Sequence, residues 1–268
     1  MLQTITSTQN PKIKQLLALQ QKSSERRKNG LFVVEGRREL EHCIAAGYKV
    51  ESIFVLEKPL SNSPRGGEDS SASACTYIVS SHVYERIAYR GSTEGIIAIV
   101  KEKRLALKAL SSSSLTEGTP LFVILERVEK PGNLGAVLRS ADAAGATAVI
   151  VCDPLTDLYN PNLIRASVGA CFTVPTVACT SEECIAFLKK YNVQILTAQL
   201  QDSKLYYDTD MTIPTAIVMG TESTGLTSQW REAADAHIRI PMLGHLDSLN
   251  VSVSAAILLF EAVRQRNG

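Results

Sequence analysis

Side chains able to grip and orient a polar reactant stand at three glycine-containing turns. Asn133 lies in 131–135 (PGNLG), with Arg139 six residues on. Glu222 lies in 220–226 (GTESTGL), and Ser248 and Asn250 precede the apolar C-terminal stretch. Glycines allow tight turns and close backbone approach, and a helix opening at such a turn presents unpaired N–H groups to an anion. Asn133 can brace the loop through its amide. Each feature also has a plain structural reading: Asn133 as a helix cap, Arg139 paired with Asp142, Glu222 in a first helical turn, Ser248 and Asn250 as N-caps. Two nucleotide chemistries are disfavoured. The G-x-x-x-x-G of 220–225 is followed by Leu226-Thr227 rather than the Lys-Ser/Thr of a phosphate loop, and the chain has no G-x-G-x-x-G.

The elements that must hold these turns follow from apolar patterning. Strands are expected at 121–125 (LFVIL), 148–151 (AVIV), 194–198 (QILTA), 215–219 (TAIVM) and 236–240 (AHIRI), with 173–177 extended. Helices are expected at 134–144, 162–170, 182–191 and 251–266. Continuous apolar strands between helices indicate a parallel sheet covered on both faces. Ahead of this region, helices at 11–21, from about 37 to 46 and at 81–89 alternate with strands at 31–34, 50–56, 77–79 and 95–100, a second and smaller α/β pattern. Residues 62–74 read as a surface loop. The expected division is an N-terminal domain over 1–100, a linker over 101–118 and a C-terminal domain over 119–268.

The chain has 268 residues, 45% hydrophobic and 21% charged, ordinary for a globular protein. No apolar run reaches the roughly 18 residues of a membrane span, and the first residues show no apolar secretory core, which points to the cytoplasm. Six cysteines show no CxxC pair and no His/Cys metal spacing, and read as reduced thiols. The four histidines, His42, His82, His237 and His245, show no ligand spacing either. Net charge is +1, but residues 1–40 carry eight Lys and Arg against three Glu. Lys12, Lys14, Lys22, Arg26, Arg27, Lys28, Arg37 and Arg38 thus form a basic arm suited to phosphate contacts, with all but Lys22 singled out as RNA contacts.

The ordered segments 126–145 (ERVEKPGNLGAVLRSADAAG), 217–226 (IVMGTESTGL) and 240–254 (IPMLGHLDSLNVSVS) resemble the three motifs of the SpoU (TrmH-like) branch of the SPOUT RNA methyltransferases. Lys130 and Ser254 depart from the usual pattern without removing a catalytic group. The resemblance implies a deep trefoil knot in the C-terminal domain, and QNPKIKQLLAL, FVVEGRREL and STEGIIAIV resemble an L30e-like substrate-binding domain. It further implies S-adenosyl-L-methionine as cofactor, held by Thr197, Ala198, Leu200, Met219, Gly220, Glu222, Gly225, Ile240, Met242, Ser248, Leu249 and Asn250. Arg139, Asn133, Glu222, Ser248 and Asn250 would carry the reaction, Arg165 would meet RNA or a partner subunit, and the protein would be a homodimer.

The implied reaction is in-line attack of a ribose 2′-oxygen on an activated methyl group, with no metal required. Free guanidinium is too weak an acid to serve as a base near neutral pH. Arg139 is therefore expected to stay charged, gripping phosphate and favouring the alkoxide. Ribosomal RNA is the expected substrate because a separate N-terminal domain is present. Transfer RNA methylation and a non-catalytic RNA-binding protein are the competing readings.

Overall fold

The computed structural model of the chain describes residues 3–57, 74–89, 94–110, 118–221, 224–245 and 247–268. The expected surface loop, Ala74 apart, and the serine run at 111–114 lie outside the described residues, as do Glu222, Ser223 and Leu246. The chain forms two compact units: Met1–Lys103 with Leu158–Thr173, and Arg104–Asp157 with Val174–Gly268.

In chain order the first unit begins with β1 (Gln3–Ile5), α1 (Pro11–Gln21), α2 (Ser23–Asn29), β2 (Leu31–Glu35), α3 (Arg37–Ala45), β3 (Val50–Leu56), β4 (Cys75–Val79), α4 (Ser81–Ile87) and β5 (Ile96–Lys101). Its sheet has the order β1-β4-β3-β5-β2. β1, β4 and β3 are parallel, and β5 runs antiparallel to both β3 and β2. Successive strand residues face opposite sides. Val33, Ile97 and Ile99 therefore pack with Ile13, Leu16 and Leu19 of α1, while Phe32, Val34 and Ala98 belong to a core on the other face. Asn10 caps α1 by accepting from the Lys12 N–H at 2.9 Å, and Pro11 occupies the first turn, where a missing N–H costs nothing. α2 was not expected from sequence: Ser23–Asn29 has no apolar stripe.

The second unit supplies α5 (Leu107–Leu110), β6 (Leu121–Glu126), α6 (Pro131–Ala143) and β7 (Ala148–Cys152). The chain then forms α7 (Pro161–Ser167) and α8 (Ala170–Thr173), both within the first unit. Ile164 of α7 and Phe172 of α8 join Phe32, Leu40 and Cys43 in one core, and Tyr159 stacks on Phe32 with ring centroids 4.3 Å apart. Their burial explains why the units do not follow the uninterrupted division expected from sequence. The expected helix over 162–170 is broken. Val168 caps α7 at φ 53°, and Gly169 follows at φ 91°, where a Cβ would lie 2.8 Å from His42 Cδ2. Only glycine satisfies both conditions.

The chain returns to the second unit through β8 (Thr176–Cys179), α9 (Ser181–Lys190), β9 (Gln194–Ala198), β10 (Lys204–Leu205), β11 (Thr215–Met219), α10 (Ser228–Ala233), β12 (Ala236–Arg239) and α11 (Val251–Asn267). All seven strands are parallel, in the order β10-β12-β9-β11-β6-β7-β8. β6, β7 and β11 are buried along their whole length, as strands covered on both faces must be. Phe122, Ile124, Ile150, Ala216 and Val218 pack with Cys184, Phe187 and Leu188 of α9 and Trp230 of α10. The alternate residues of these strands face the other side, where α6 and α11 pack together. Among the described residues, no helix is long and apolar enough to cross a membrane.

The insertion of β11 between β9 and β6 positions the site. From β6 the chain moves outward to β7, whereas from β11 it moves the opposite way to β12. Such a reversal opens a crevice at the carboxyl ends of the two strands. Glu126 and Gly220 stand at those ends.

Candidate active site at the carboxyl edge of the second sheet

A cavity of about 180 Å³ opens at the β6/β11 reversal, lined by Val128, Glu129, Lys130, Asn133, Gly220, Thr221 and Val251. α6 begins at Pro131, three residues earlier than expected, so Asn133 lies inside its first turn and is not the cap. Its N–H donates to the Lys130 carbonyl at 3.1 Å. The Asn133 side chain instead accepts from Asn250 Nδ2 at 3.2 Å. Asn250 does cap α11: its Oδ1 accepts from the Ser252 N–H at 2.9 Å and from Ser252 Oγ at 2.6 Å. The capping role and the site role of Asn250 therefore coexist in one side chain.

The turn after β11 is tight. A Cβ on Gly220 would fall 2.4 Å from the carbonyl carbon and oxygen of Gly225, and Gly225 itself adopts φ +67°. The Gly225 N–H donates to the Thr221 carbonyl at 3.1 Å, and the Thr224 N–H donates to Thr221 Oγ1 at 3.0 Å. One residue beyond Leu226, Thr227 donates its N–H and its hydroxyl to the two oxygens of Glu126, at 2.9 and 2.7 Å. Glu126 is only 2% exposed. It ties the end of β6 to the residue before α10, a clamp not singled out from sequence. An acidic residue closing an otherwise apolar strand was its only signal. Glu222 lies outside the described residues. The helix that follows starts at Ser228.

A second cavity, about 410 Å³, lies past the ends of β9 and β12, with Leu200, Leu205, Ile240, Met242, Arg239 and His245 among its lining residues. Its size and mixed apolar and polar walls suit a nucleoside-sized ligand. Leu200 is 47% exposed, an uncovered apolar side chain beside Gln199, whose Oε1 is buried with no donor among the described residues. The exposed Leu200 side chain at the cavity wall fits a ligand with an apolar ring. Of the expected cofactor residues, Leu200, Ile240 and Met242 line this cavity, and Gly220 lines the other. Ala198 ends β9 half-buried, and Gly225, Ser248 and Leu249 are exposed. Thr197 and Met219 line neither cavity and lie within β9 and β11. Thr197 is fully buried and within 2.6 Å of His237 Nδ1, and Met219 is 3% exposed.

Arg139 is exposed on α6 and lines neither cavity. Six residues of helix place it about 9 Å along the axis from Asn133 and about 120° around it. One chain therefore does not bring the two together.

The basic residues of the first unit divide. Lys12, Lys14, Arg27, Lys28 and Arg38 are exposed, and Arg37 is half-buried. Arg26 is a correction: it is 2% exposed, and its Nη1 donates to the Leu19 carbonyl at 2.6 Å and the Gln20 carbonyl at 3.2 Å. It closes the last turn of α1, where free carbonyls need donors, and is not offered to phosphate. Arg165 is exposed beside a cavity of about 210 Å³ that also contains Glu35, Glu39 and Tyr89. Burial raises the Glu35 carboxyl above its usual range, while the Tyr89 N–H and the Arg165 charge oppose the shift.

Comparison with known proteins assigns this arrangement. Residues 120–260 match the SpoU rRNA Methylase family, and residues 10–98 match the MRM3-like substrate binding domain. The chain is 39% identical over 176 residues to 23S rRNA (guanosine-2'-O-)-methyltransferase RlmB of Bordetella pertussis, covering 65% of this chain and 72% of that protein. A solved RNA 2'-O ribose methyltransferase superposes with a TM-score of 0.79 at 38% identity, over 99% of this chain and 100% of that one. An AdoMet-bound rRNA methyltransferase from Sinorhizobium meliloti superposes with a TM-score of 0.88 at 28% identity, over 98% of each chain. With its three motif segments gathered at one sheet edge and more than half its length matched, the chain belongs to the SpoU rRNA methylase family.

Proposed function

We propose that this chain transfers a methyl group from S-adenosyl-L-methionine to a ribose 2′-hydroxyl of ribosomal RNA. The observation that carries this reading is the meeting of Asn133, Gly220 and Asn250, one from each motif, at the carboxyl ends of β6 and β11. The cofactor supplies a methyl group already activated on a sulfonium, so the protein's task is to position reactants and manage a proton. Leu200, Ile240 and Met242 hold the cofactor by apolar contact. The glycines of 220–225 let backbone approach it, and Ser248 and Leu249 close over it. Asn133, braced by Asn250, orients the site, and Glu222 shapes it. Arg139 stays protonated, binds an RNA phosphate and lowers the cost of the developing alkoxide.

The protein acts as a homodimer. Val253 and Phe260 of α11 are 46% and 48% exposed, an apolar face beside α6 that a second copy covers, and Arg139 then serves a site built with the partner subunit. The insertion of β11 supports the family's deep trefoil knot. Residues 1–100 recognise structured RNA through Lys12, Lys14, Arg27, Lys28, Arg37 and Arg38, and Arg165 of α7 adds a further contact. That second, substrate-binding domain favours ribosomal over transfer RNA, and the reaction takes place in the cytoplasm.

The test incubates the purified chain with tritiated S-adenosyl-L-methionine and separate pools of unmodified ribosomal and transfer RNA, with Arg139→Ala alongside. Label is expected in ribosomal RNA, as 2′-O-methyl nucleoside on digestion, and lost in the variant. Label confined to transfer RNA, or to a base, would overturn the assignment. Arg139→Lys should recover little, because a compact ammonium does not replace the bidentate fork.

A further inference from the structure

Cys152, Cys179 and Cys184 come from three separate elements, yet their Sγ atoms lie within 4.8 Å of one another. Cys152 ends β7 and Cys179 ends β8, paired in register on neighbouring parallel strands. Cys184 stands in the first turns of α9 and donates its N–H to the Thr180 carbonyl at 3.1 Å. Linear spacing conceals the group, since the first two cysteines stand 27 positions apart and no CxxC occurs.

The surroundings hold the three sulfurs in place. Thr180 and Glu183 form a reciprocal cap on α9. Asp153, next to Cys152, accepts from Ser181 Oγ at 2.6 Å and from the Ser181 N–H at 3.2 Å. The buried Trp230 indole donates to the same Ser181 hydroxyl at 3.0 Å. These bonds fasten the start of α9 to the end of β7. Cys152 and Cys184 are fully buried, while Cys179 is partly exposed and leaves a path from solvent.

We propose that Cys152, Cys179 and Cys184 form a three-thiolate site for a soft d10 cation, zinc(II) or copper(I). A metal–sulfur distance of about 2.3 Å puts three sulfurs about 3.8–4.0 Å apart, inside the spacing already present. An all-sulfur donor set selects soft ions over magnesium, calcium or manganese. Binding releases one proton per thiol: M²⁺ + 3 RSH gives [M(SR)₃]⁻ + 3 H⁺, and copper(I) gives the dianion. A disulfide across Cys152 and Cys179 is the alternative. The site is separate from the methyl-transfer crevice and needs none of its residues. Its contribution is to staple β7, β8 and α9, and the Cys152 carbonyl accepts the Arg127 N–H at 2.9 Å, just after β6.

The test titrates the reduced full-length chain with zinc(II) and, separately, copper(I), against a chromophoric chelator. One ion per chain is expected, with a sulfur-only shell by X-ray absorption. In the unaltered protein the metal should protect the partly exposed Cys179 from alkylation and leave exposed Cys75 reactive. Cys179→Ser, with a native circular-dichroism spectrum, should bind at least about 100-fold more weakly, and Cys75→Ser should bind normally. No binding of either ion, an oxygen- or nitrogen-dominated shell, or binding that survives Cys179→Ser would overturn the proposal. A Cys152–Cys179 disulfide on mild oxidation, with no metal affinity in the reduced chain, would overturn it in favour of a redox pair.

Discussion

Asn250 Nδ2 donates to Asn133 Oδ1 across 3.2 Å, joining the first turn of α6 to the cap of α11 over 117 positions of sequence. The same Asn250 side chain accepts from Ser252, so one amide serves a helix terminus and a site residue together. Removing it is expected to cost about 1 kcal/mol as a lost cap. A double-mutant cycle of Asn133→Ala and Asn250→Ala isolates the contact from the cap. Urea unfolding should give a coupling of about 0.5–1.5 kcal/mol, with methyl transfer lost in either single variant. Strict additivity would show that the bond contributes nothing.

Gly220→Ala tests the tight turn. Its Cβ would meet Gly225 backbone at 2.4 Å, and backbone cannot step aside as a flexible side chain can. The variant should lose about 1–3 kcal/mol of stability and at least tenfold, about 1.4 kcal/mol, in S-adenosyl-L-methionine affinity by calorimetry. Gly132→Ala is the matched control: nothing lies within 4 Å of its Cβ position and it sits in a helix, so stability should hold or rise slightly.

Glu126 and Thr227 make the second pairing that probes well. Glu126→Ala leaves the Thr227 N–H without its carboxylate in a buried place, which should cost about 1–3 kcal/mol. Glu126→Gln keeps one acceptor and should fall between the variant and the parent in thermal unfolding. If both substitutions left the transition unchanged, the clamp between β6 and α10 would not be a source of stability.

Glu35 gives a pH signature in the first unit. Its folded carboxyl is raised above the ordinary value near 4.5, first by burial. A raised acid contributes stability below its unfolded value, and that contribution is lost as pH rises through the folded value. Glu35→Gln keeps an acceptor for the Tyr89 N–H and carries no charge. The variant should therefore melt higher than the parent at pH 7 and show a smaller advantage at pH 4. An equal difference at both pH values would rule out charge burial as the cause.

What was legible in the sequence followed from local physics. Residues 121–125, 148–152 and 216–219 are apolar throughout because a parallel sheet hides both their faces, so a parallel sheet could be read from them directly. α1 and the Asn250 cap were likewise visible, since Asn10-Pro11 and Asn250 satisfy the open N–H groups of a helix start. α2 was missed because it has no apolar stripe: Arg26 anchors it through backbone carbonyls of α1, a partnership that no periodicity records. Composition alone placed Arg26 among the RNA contacts, and only burial withdrew it. The attachment of Leu158–Thr173 to the first unit was equally invisible, because it depends on Ile164 and Phe172 finding Phe32 more than a hundred residues away. The sequence by itself determined the buried strands of the second sheet and the family motifs that contain Asn133, Gly220 and Asn250. Tertiary structure alone decided which strand was inserted between which, whether Arg139 reached Asn133, and that three dispersed thiols met. Those outcomes depend on packing and crossover between distant segments, and neither has a signature in neighbouring residues.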